Sequence, residues 1–69
     1  MRIKTIEFRY YKFLDNSEKP FGQIHFYYDD GDKVDTHNFD ISEYQFKGMY
    51  YTYQKCADNI EVEYDEYLV

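Results

Sequence analysis

The sequence predicts a small α+β domain in which one helix packs on a four-stranded, largely antiparallel sheet. Apolar side chains alternate with polar ones along residues 2–14, 21–28 and 60–68, which is the period of half-buried strands. Within residues 39–59 they recur instead at helical spacing. A chain of 69 residues is long enough for one domain, 1–69, with a small core. With a further polar strand before the helix, the predicted order is β-β-β-α-β.

The first two strands are predicted to form an antiparallel pair. Residues 15–20 contain Pro20 and have the composition of a turn or short loop. The face that the strands bury is expected to carry Ile6, Phe8, Tyr10, Ile24, Phe26 and Tyr28. The opposite face is expected to carry Thr5, Glu7, Arg9, Tyr11, Gln23, His25 and Tyr27.

A hairpin turn is predicted at residues 29–32, because Gly31 can adopt the positive φ that a tight turn requires. A three-residue loop with a bulge would pair His25 with His37 across the hairpin. A loop of two or four residues would shift the register by one and separate these histidines. The third strand, residues 33–39, is polar and is therefore expected at or near a sheet edge.

The helix has recognisable signals at both ends. Ser42 is the expected N-cap with Gln45 at the reciprocal capping position, while Asp40 with Glu43 offers a competing start two residues earlier. Asn59 is the expected left-handed stop. The apolar stripe consists of Phe46, Met49, Tyr50, Tyr53, Cys56 and Ala57, and it predicts that the Cys56 side chain is buried.

The net charge of −6 is unevenly distributed along the chain. Residues 1–20 hold five of the eight basic side chains, whereas eleven of the fourteen acidic side chains follow Pro20. An acidic surface repels DNA, RNA and anionic membranes and favours encounter with basic protein surfaces. We therefore expect neither direct nucleic-acid binding nor membrane binding. A single cysteine and the absence of a long apolar run lead us to expect a cytoplasmic location.

Enzymatic activity and a cofactor are not expected, because no catalytic or phosphate-binding motif is present and so small a domain encloses little volume. His25 and His37 are candidate metal ligands only if the hairpin pairs them. Asp29, Asp30, Asp32 and Asp35, in and after the predicted hairpin turn, resemble a calcium loop. Phe26 and Tyr28, however, occupy positions at which ligands are required, so a solvated turn is the better interpretation.

The last strand carries the most informative pattern. Glu61, Glu63 and Asp65 alternate with Val62 and Tyr64, so they would form a row of carboxylates about 6.8 Å apart, a spacing of the same order as that of phosphates along a nucleic-acid strand. We expect the row to be extended by Asp58 and Glu66, with Tyr64 or Tyr67 providing contact area beside it. The same pattern is also that of an ordinary solvated strand face.

Small, acidic, tyrosine-rich chains of this kind resemble the inhibitors that bacteriophages and mobile elements make, including anti-CRISPR proteins. The resemblance is one of size, charge and composition, and it implies a non-enzymatic nucleic-acid mimic that blocks a basic, nucleic-acid-binding protein. A second candidate surface consists of Asp29, Asp30, Asp32 and Asp35. The alternative is a self-associating structural or regulatory module, most simply a homodimer, because ten tyrosines and six phenylalanines exceed what this core can bury.

Overall fold

The computed structural model describes residues 2–15, 18–29 and 34–69. The elements are β1 (Ile3–Lys12), β2 (Phe21–Tyr28), β3 (Val34–Phe39), α1 (Glu43–Cys56) and β4 (Glu61–Leu68). This order confirms the predicted α+β fold, with one helix between the third and fourth strands.

The four strands form one mixed sheet with the order β3-β2-β1-β4. β2 runs antiparallel to both β1 and β3, whereas β4 runs parallel to β1. The helix therefore belongs to a crossover that carries the chain from one edge of the sheet to the other. β3 and β4 are the two edge strands among the described elements, and the edge position predicted for β3 is confirmed.

The core lies on one side of the sheet, between the strands and the helix. Phe46 is the buried helix residue, and its ring centroid lies 5.4 Å from that of Phe8 and 5.8 Å from that of Tyr10. Ile6 and Ile24 complete the buried cluster. All four strand residues belong to the face that alternation predicted to be buried.

The helix begins and ends close to its predicted signals. Ser42 is the N-cap, and its side-chain oxygen accepts a hydrogen bond of 3.3 Å from the backbone N–H of Gln45. The Ser42 hydroxyl in turn donates to Oε1 of Gln45 at 3.0 Å. Asn59 has a φ of 59°, so the predicted left-handed residue is confirmed, although the helix already ends at Cys56.

The predicted burial of Cys56 is wrong, because its side chain is exposed. At 3.6 residues per turn, Cys56 lies about 80° around the helix from Phe46, whereas Ala57 comes back to within about 20°. Ala57 is accordingly half-buried. The apolar stripe thus faces the sheet through Phe46, Met49 and Tyr50 and leaves the thiol at its margin.

Of the two registers considered for the β2-β3 hairpin, the structure has the one that separates the histidines. His25 lies opposite Thr36, and His37 lies opposite Ile24, which is one residue away from the register that would pair the histidines. Because side chains alternate between the faces of a strand, this shift puts His25 and His37 on opposite sides of the sheet. They cannot share a metal ion. The predicted glycine of the turn, residue 31, lies outside the described residues.

Substitution of alanine for two glycines, Gly22 and Gly48, should change the free energy of unfolding in opposite directions. A Cβ atom on Gly22 would lie 2.6 Å from Cε1 of Phe46, so Gly22→Ala should cost about 1–3 kcal/mol through overpacking. A Cβ atom on Gly48 would meet nothing within 4 Å, so Gly48→Ala should stabilise the helix by up to about 1 kcal/mol. Urea unfolding of both variants checks this, and equal effects would contradict the packing of Phe46 against Gly22.

Candidate functional site

The sheet face opposite the helix, which we call the open face, is covered by no described element. Four strands contribute alternate side chains to it. These are Thr5, Glu7, Arg9 and Tyr11 from β1; Phe21, Gln23, His25 and Tyr27 from β2; Thr36 and Asn38 from β3; and Glu61, Glu63, Asp65 and Tyr67 from β4.

An acidic cluster occupies the β4 side of the open face. Parallel pairing sets Glu63 directly beside Glu7, and carboxylate oxygens of Glu7, Glu63 and Asp65 lie within 4.8 Å of one another. The three β4 carboxylates, Glu61 included, are exposed. A hydrogen bond with Glu61, partial desolvation and the surrounding negative charges raise the pKa of Glu63. The neighbouring acidic side chains therefore oppose ionisation of Glu63.

Arg9 lies in the middle of the open face and compensates part of this charge. Its Nε donates to Glu7, and its Nη2 donates to the hydroxyl of Tyr27 at 3.0 Å. Its guanidinium carbon lies 5.8 Å from the ring centroid of Tyr67. Although partial burial acts to lower it, hydrogen bonds with Tyr11 and Glu7 raise the pKa of Arg9, which stays positively charged.

On the open face, three aromatic rings stack across three strands beside the acidic cluster, towards the C-terminal end of β4. The ring centroids of Tyr67 and Tyr11 are 4.9 Å apart at an interplanar angle of 16°, and those of Tyr11 and Phe21 are 4.9 Å apart at 15°. Tyr67 is the end of this row on the side of β4. The row gives the open face a flat aromatic margin beside the carboxylates.

The β3 side of the open face is polar and closed on itself. Gln23 donates to Asn38 at 2.8 Å, and its amide oxygen lies 2.9 Å from Nε2 of His25. Nδ1 of His25 lies 3.2 Å from the hydroxyl of Thr36. Partial burial and the positive charge of Arg9 lower the pKa of His25, so the imidazole is neutral at neutral pH. These groups satisfy one another.

Two residues predicted to lie with the acidic row are on the other face. Glu66 pairs with Lys47 at 3.1 Å and with Lys12 at 3.8 Å on the helix side. Tyr64 is half-buried beneath the helix, where it packs against Phe46. Its buried hydroxyl has no hydrogen-bond partner among the described residues, and desolvation with nearby carboxylates raises its pKa. Strand alternation explains both positions, so neither residue extends the row.

The remaining predicted acidic residues are scattered. Asp58 is exposed in the bend before β4 and does not belong to the strand. Asp29 is exposed and accepts a 3.4 Å hydrogen bond from the backbone of Arg2. Asp35 lies on the helix side of β3 and accepts a hydrogen bond from Tyr28. Asp30 and Asp32 lie outside the described residues.

Sequence reasoning did not include Glu7, Arg9, Tyr11 or Tyr27 in the site. Alternation correctly placed all four on the face away from the core. The missing information was the strand order, because only the parallel pairing of β1 with β4 brings them beside Glu63 and Tyr67.

The distances within the acidic cluster would suit a divalent cation, but Arg9 already bonds to Glu7 and places a positive charge beside it. The arrangement is better suited to contacts with cationic side chains. In the described part of the chain, α1 is too short and too polar to cross a bilayer. Comparison of the chain with protein-family models, curated proteins and solved structures finds no match.

The pKa directions predict opposite pH dependences for two substitutions. A raised pKa means that Glu63 stabilises the fold when protonated and loses this contribution as the pH rises through its folded value. Because Glu63 is exposed and solvent screens its charge, Glu63→Gln should stabilise the protein at pH 7 by no more than roughly 0.2–1 kcal/mol, the range for an exposed charge pair, and the gain should vanish below about pH 4.

Glu43→Gln is the matched control. Hydrogen bonds with Glu66 and Lys12 hold the pKa of Glu43 below its ordinary value, so its loss should destabilise the fold at neutral pH and matter less as the pH falls. Urea unfolding between about pH 3 and pH 7 measures both variants. A destabilised Glu63→Gln protein at pH 7 would show that the row is not under repulsion.

Proposed function

We propose that the protein is a non-enzymatic binding protein that occupies a basic, nucleic-acid-binding surface of another protein and so keeps nucleic acid from it. The observation that carries this proposal is a difference between two sets of carboxylates. On the helix side, Glu43 and Glu66 are paired with lysines. No lysine or arginine of the described ranges forms an ion pair with the exposed β4 carboxylates of the open face, Glu61, Glu63 and Asp65.

A row of unpaired carboxylates is unfavourable for the isolated domain, since neighbouring like charges on a sheet repel. Lysine or arginine side chains of a partner would relieve this repulsion when they bind. They would also favour the ionised form of Glu63, so binding should release a proton in the pH range where Glu63 titrates. The cost in the free protein thus becomes a gain in the complex.

The aromatic margin supplies contact area that charge alone does not. Tyr67 and Tyr11 are half-buried, stacked and held by their strands, so little side-chain entropy is lost when a partner covers them. Tyrosine and arginine are enriched among the residues that dominate interface energies. A basic surface with exposed arginines would complement both parts of the open face.

This chemistry fits the class of inhibitor to which the composition points, the anti-CRISPR-like proteins of phages and mobile elements. A protein of that class would act in the cytoplasm of a bacterial host cell. Its target would be recognised by a groove of lysine and arginine side chains that ordinarily binds the phosphates of DNA or RNA.

Charge reversal tests the proposal directly. The tagged protein is used to capture partners from a bacterial lysate, which are eluted along a salt gradient and identified by mass spectrometry. We expect a nucleic-acid-binding protein that elutes as salt rises and is displaced by added nucleic acid. The double variant Glu61→Lys, Glu63→Lys should lose at least ~90% of this capture, because each reversal replaces attraction by repulsion.

The control is the double variant Glu18→Lys, Asp40→Lys, which changes the net charge equally at exposed positions away from β4. It should retain capture. Circular dichroism shows whether each variant is folded. If the folded Glu61→Lys, Glu63→Lys variant bound the identified partner with unchanged affinity, the open face would not be the binding surface.

Self-association is the second candidate function, and exposed apolar side chains favour it. Tyr44 is 88% exposed and Tyr51 57% exposed on the outer side of the helix. Leu14, Leu68 and Val69 are also exposed, and the backbone N–H of Leu14 donates to the carbonyl oxygen of Val69 at 2.9 Å. Contact between two copies would bury such surface and add stability to a small core.

Sedimentation equilibrium at two concentrations tests this second function. A self-associating module should show a mass that rises with concentration towards twice 8.6 kDa. Tyr44→Ser with Tyr51→Ser should reduce the association if the helix forms the contact. A strict monomer at the higher concentration would contradict self-association and leave the partner-binding proposal unaffected.

A further inference from the structure

The edge of β4 is a free strand edge beside the acidic cluster. β4 is eight residues long and pairs with β1 along one side only. Alternate backbone N–H and C=O groups of an edge strand point away from the sheet, and here no described strand pairs with them. Such an edge can accept an additional strand from another polypeptide.

The side chains of β4 specify what that strand should carry. Glu61, Glu63, Asp65 and Tyr67 follow one another on the open face. Side chains of an added strand would lie about 4.5–5.5 Å from these residues on the same face. Opposite charges at those positions are favourable, and a flat side chain beside Tyr67 would continue the aromatic stack.

We propose that β4 accepts an extended basic segment of the partner protein as a fifth strand of the sheet. The segment carries lysine or arginine at alternate positions opposite Glu61, Glu63 and Asp65, and an arginine or aromatic residue opposite Tyr67. This inference rests on the proposed function, because it specifies how the basic partner is bound.

Arg9 shows the same chemistry from the other side of β4. In the register of the sheet Arg9 lies beside Asp65, and its guanidinium combines a hydrogen bond to the carboxylate of Glu7, on its own strand, with a position 5.8 Å from the Tyr67 ring centroid. An arginine on a fifth strand would lie beside the same Asp65 from the opposite side. Asp65 would then lie between two arginines.

The edge does not suit a second copy of this chain. A two-fold dimer through β4 must pair the strands antiparallel, and the registers that overlap Glu61 to Asp65 set carboxylates opposite carboxylates. The other edge has different chemistry, since β3 presents Thr36 and Asn38 on the open face and both are already hydrogen-bonded to β2 side chains. Charge therefore directs a basic segment to β4.

Synthetic peptides test the inference without knowledge of the natural partner. The probe is a ten-residue peptide in which arginine alternates with threonine, and the first control has the same composition with its five arginines contiguous. Binding to the full-length protein is followed by NMR and by fluorescence anisotropy at two salt concentrations. We expect the alternating peptide to bind at least tenfold more tightly than the control and to shift the amides of β4 and of the open face.

N-methylated peptides separate strand addition from simple charge attraction. One peptide is methylated at the backbone nitrogen of every arginine, and another at the backbone nitrogen of every threonine. In an extended strand one of these sets faces β4 and the other faces away, whereas the charges are identical. We expect one methylated peptide to lose at least tenfold in affinity and the other to bind nearly as well as the unmethylated peptide.

The outcomes distinguish this inference from the proposed function. Equal binding of the two methylated peptides overturns strand addition but leaves a charge-based open face intact. If the alternating peptide binds no more tightly than its contiguous control, strand addition is also overturned. The proposed function is still tested separately, by the loss of partner capture in the Glu61→Lys, Glu63→Lys variant. Changes at β4 that depend on protein concentration without peptide would identify a second copy as the occupant and overturn the inference.

Discussion

The contact of Phe46 with the sheet is the interaction on which the rest of the structure depends. Its ring lies against Gly22, where no side chain intervenes, and packs with rings from β1 and β4. One helix residue thereby joins three of the four strands. Because the domain is small, loss of this contact would remove much of the apolar surface that folding buries. The position of the helix, and with it the choice of buried face, follows from this contact.

Burial of one face leaves the other exposed to solvent. The two sides of the sheet differ in how their carboxylates are compensated by positive charge. On the helix side, Lys12 and Lys47 lie between Glu43 and Glu66, so charges from β1, the helix and β4 compensate one another. On the open face, Arg9 compensates Glu7 but the carboxylates of β4 have no such neighbour in the described chain. Ion pairs therefore neutralise the carboxylates of the helix side, whereas on the open face the only acidic side chain of the described residues that forms one is Glu7. Because of this difference, the open face carries uncompensated negative charge along β4.

Much of the fold could be predicted because local signals agreed with one another. Alternation of apolar and polar side chains, such as Phe8 and Arg9, correctly assigned the strand residues to the two faces of the sheet. Ser42 correctly predicted the start of the helix, because it is the N-cap in the structure. The register of the β2-β3 hairpin could not be predicted, because a difference of one residue in loop length moves His37 to the opposite face. Tyr64 and Glu66 were assigned to the site by their nearness in sequence, although strand alternation separates them from Asp65. Glu7 was missed because its contact with Glu63 depends on long-range pairing that no local pattern encodes.

The parallel pairing of β1 with β4 has a consequence for the folding of the chain. Thr5 pairs with Glu61, more than fifty residues later, so the acidic cluster depends on a contact of very high sequence separation. Contacts of this kind close large loops and form slowly relative to hairpins. In a chain in which only β1 and β2 have paired, the open face holds Arg9 with its partner Glu7 but lacks the carboxylates of β4. The open face therefore acquires its excess of negative charge only when β4 joins the sheet, which is a late step in folding.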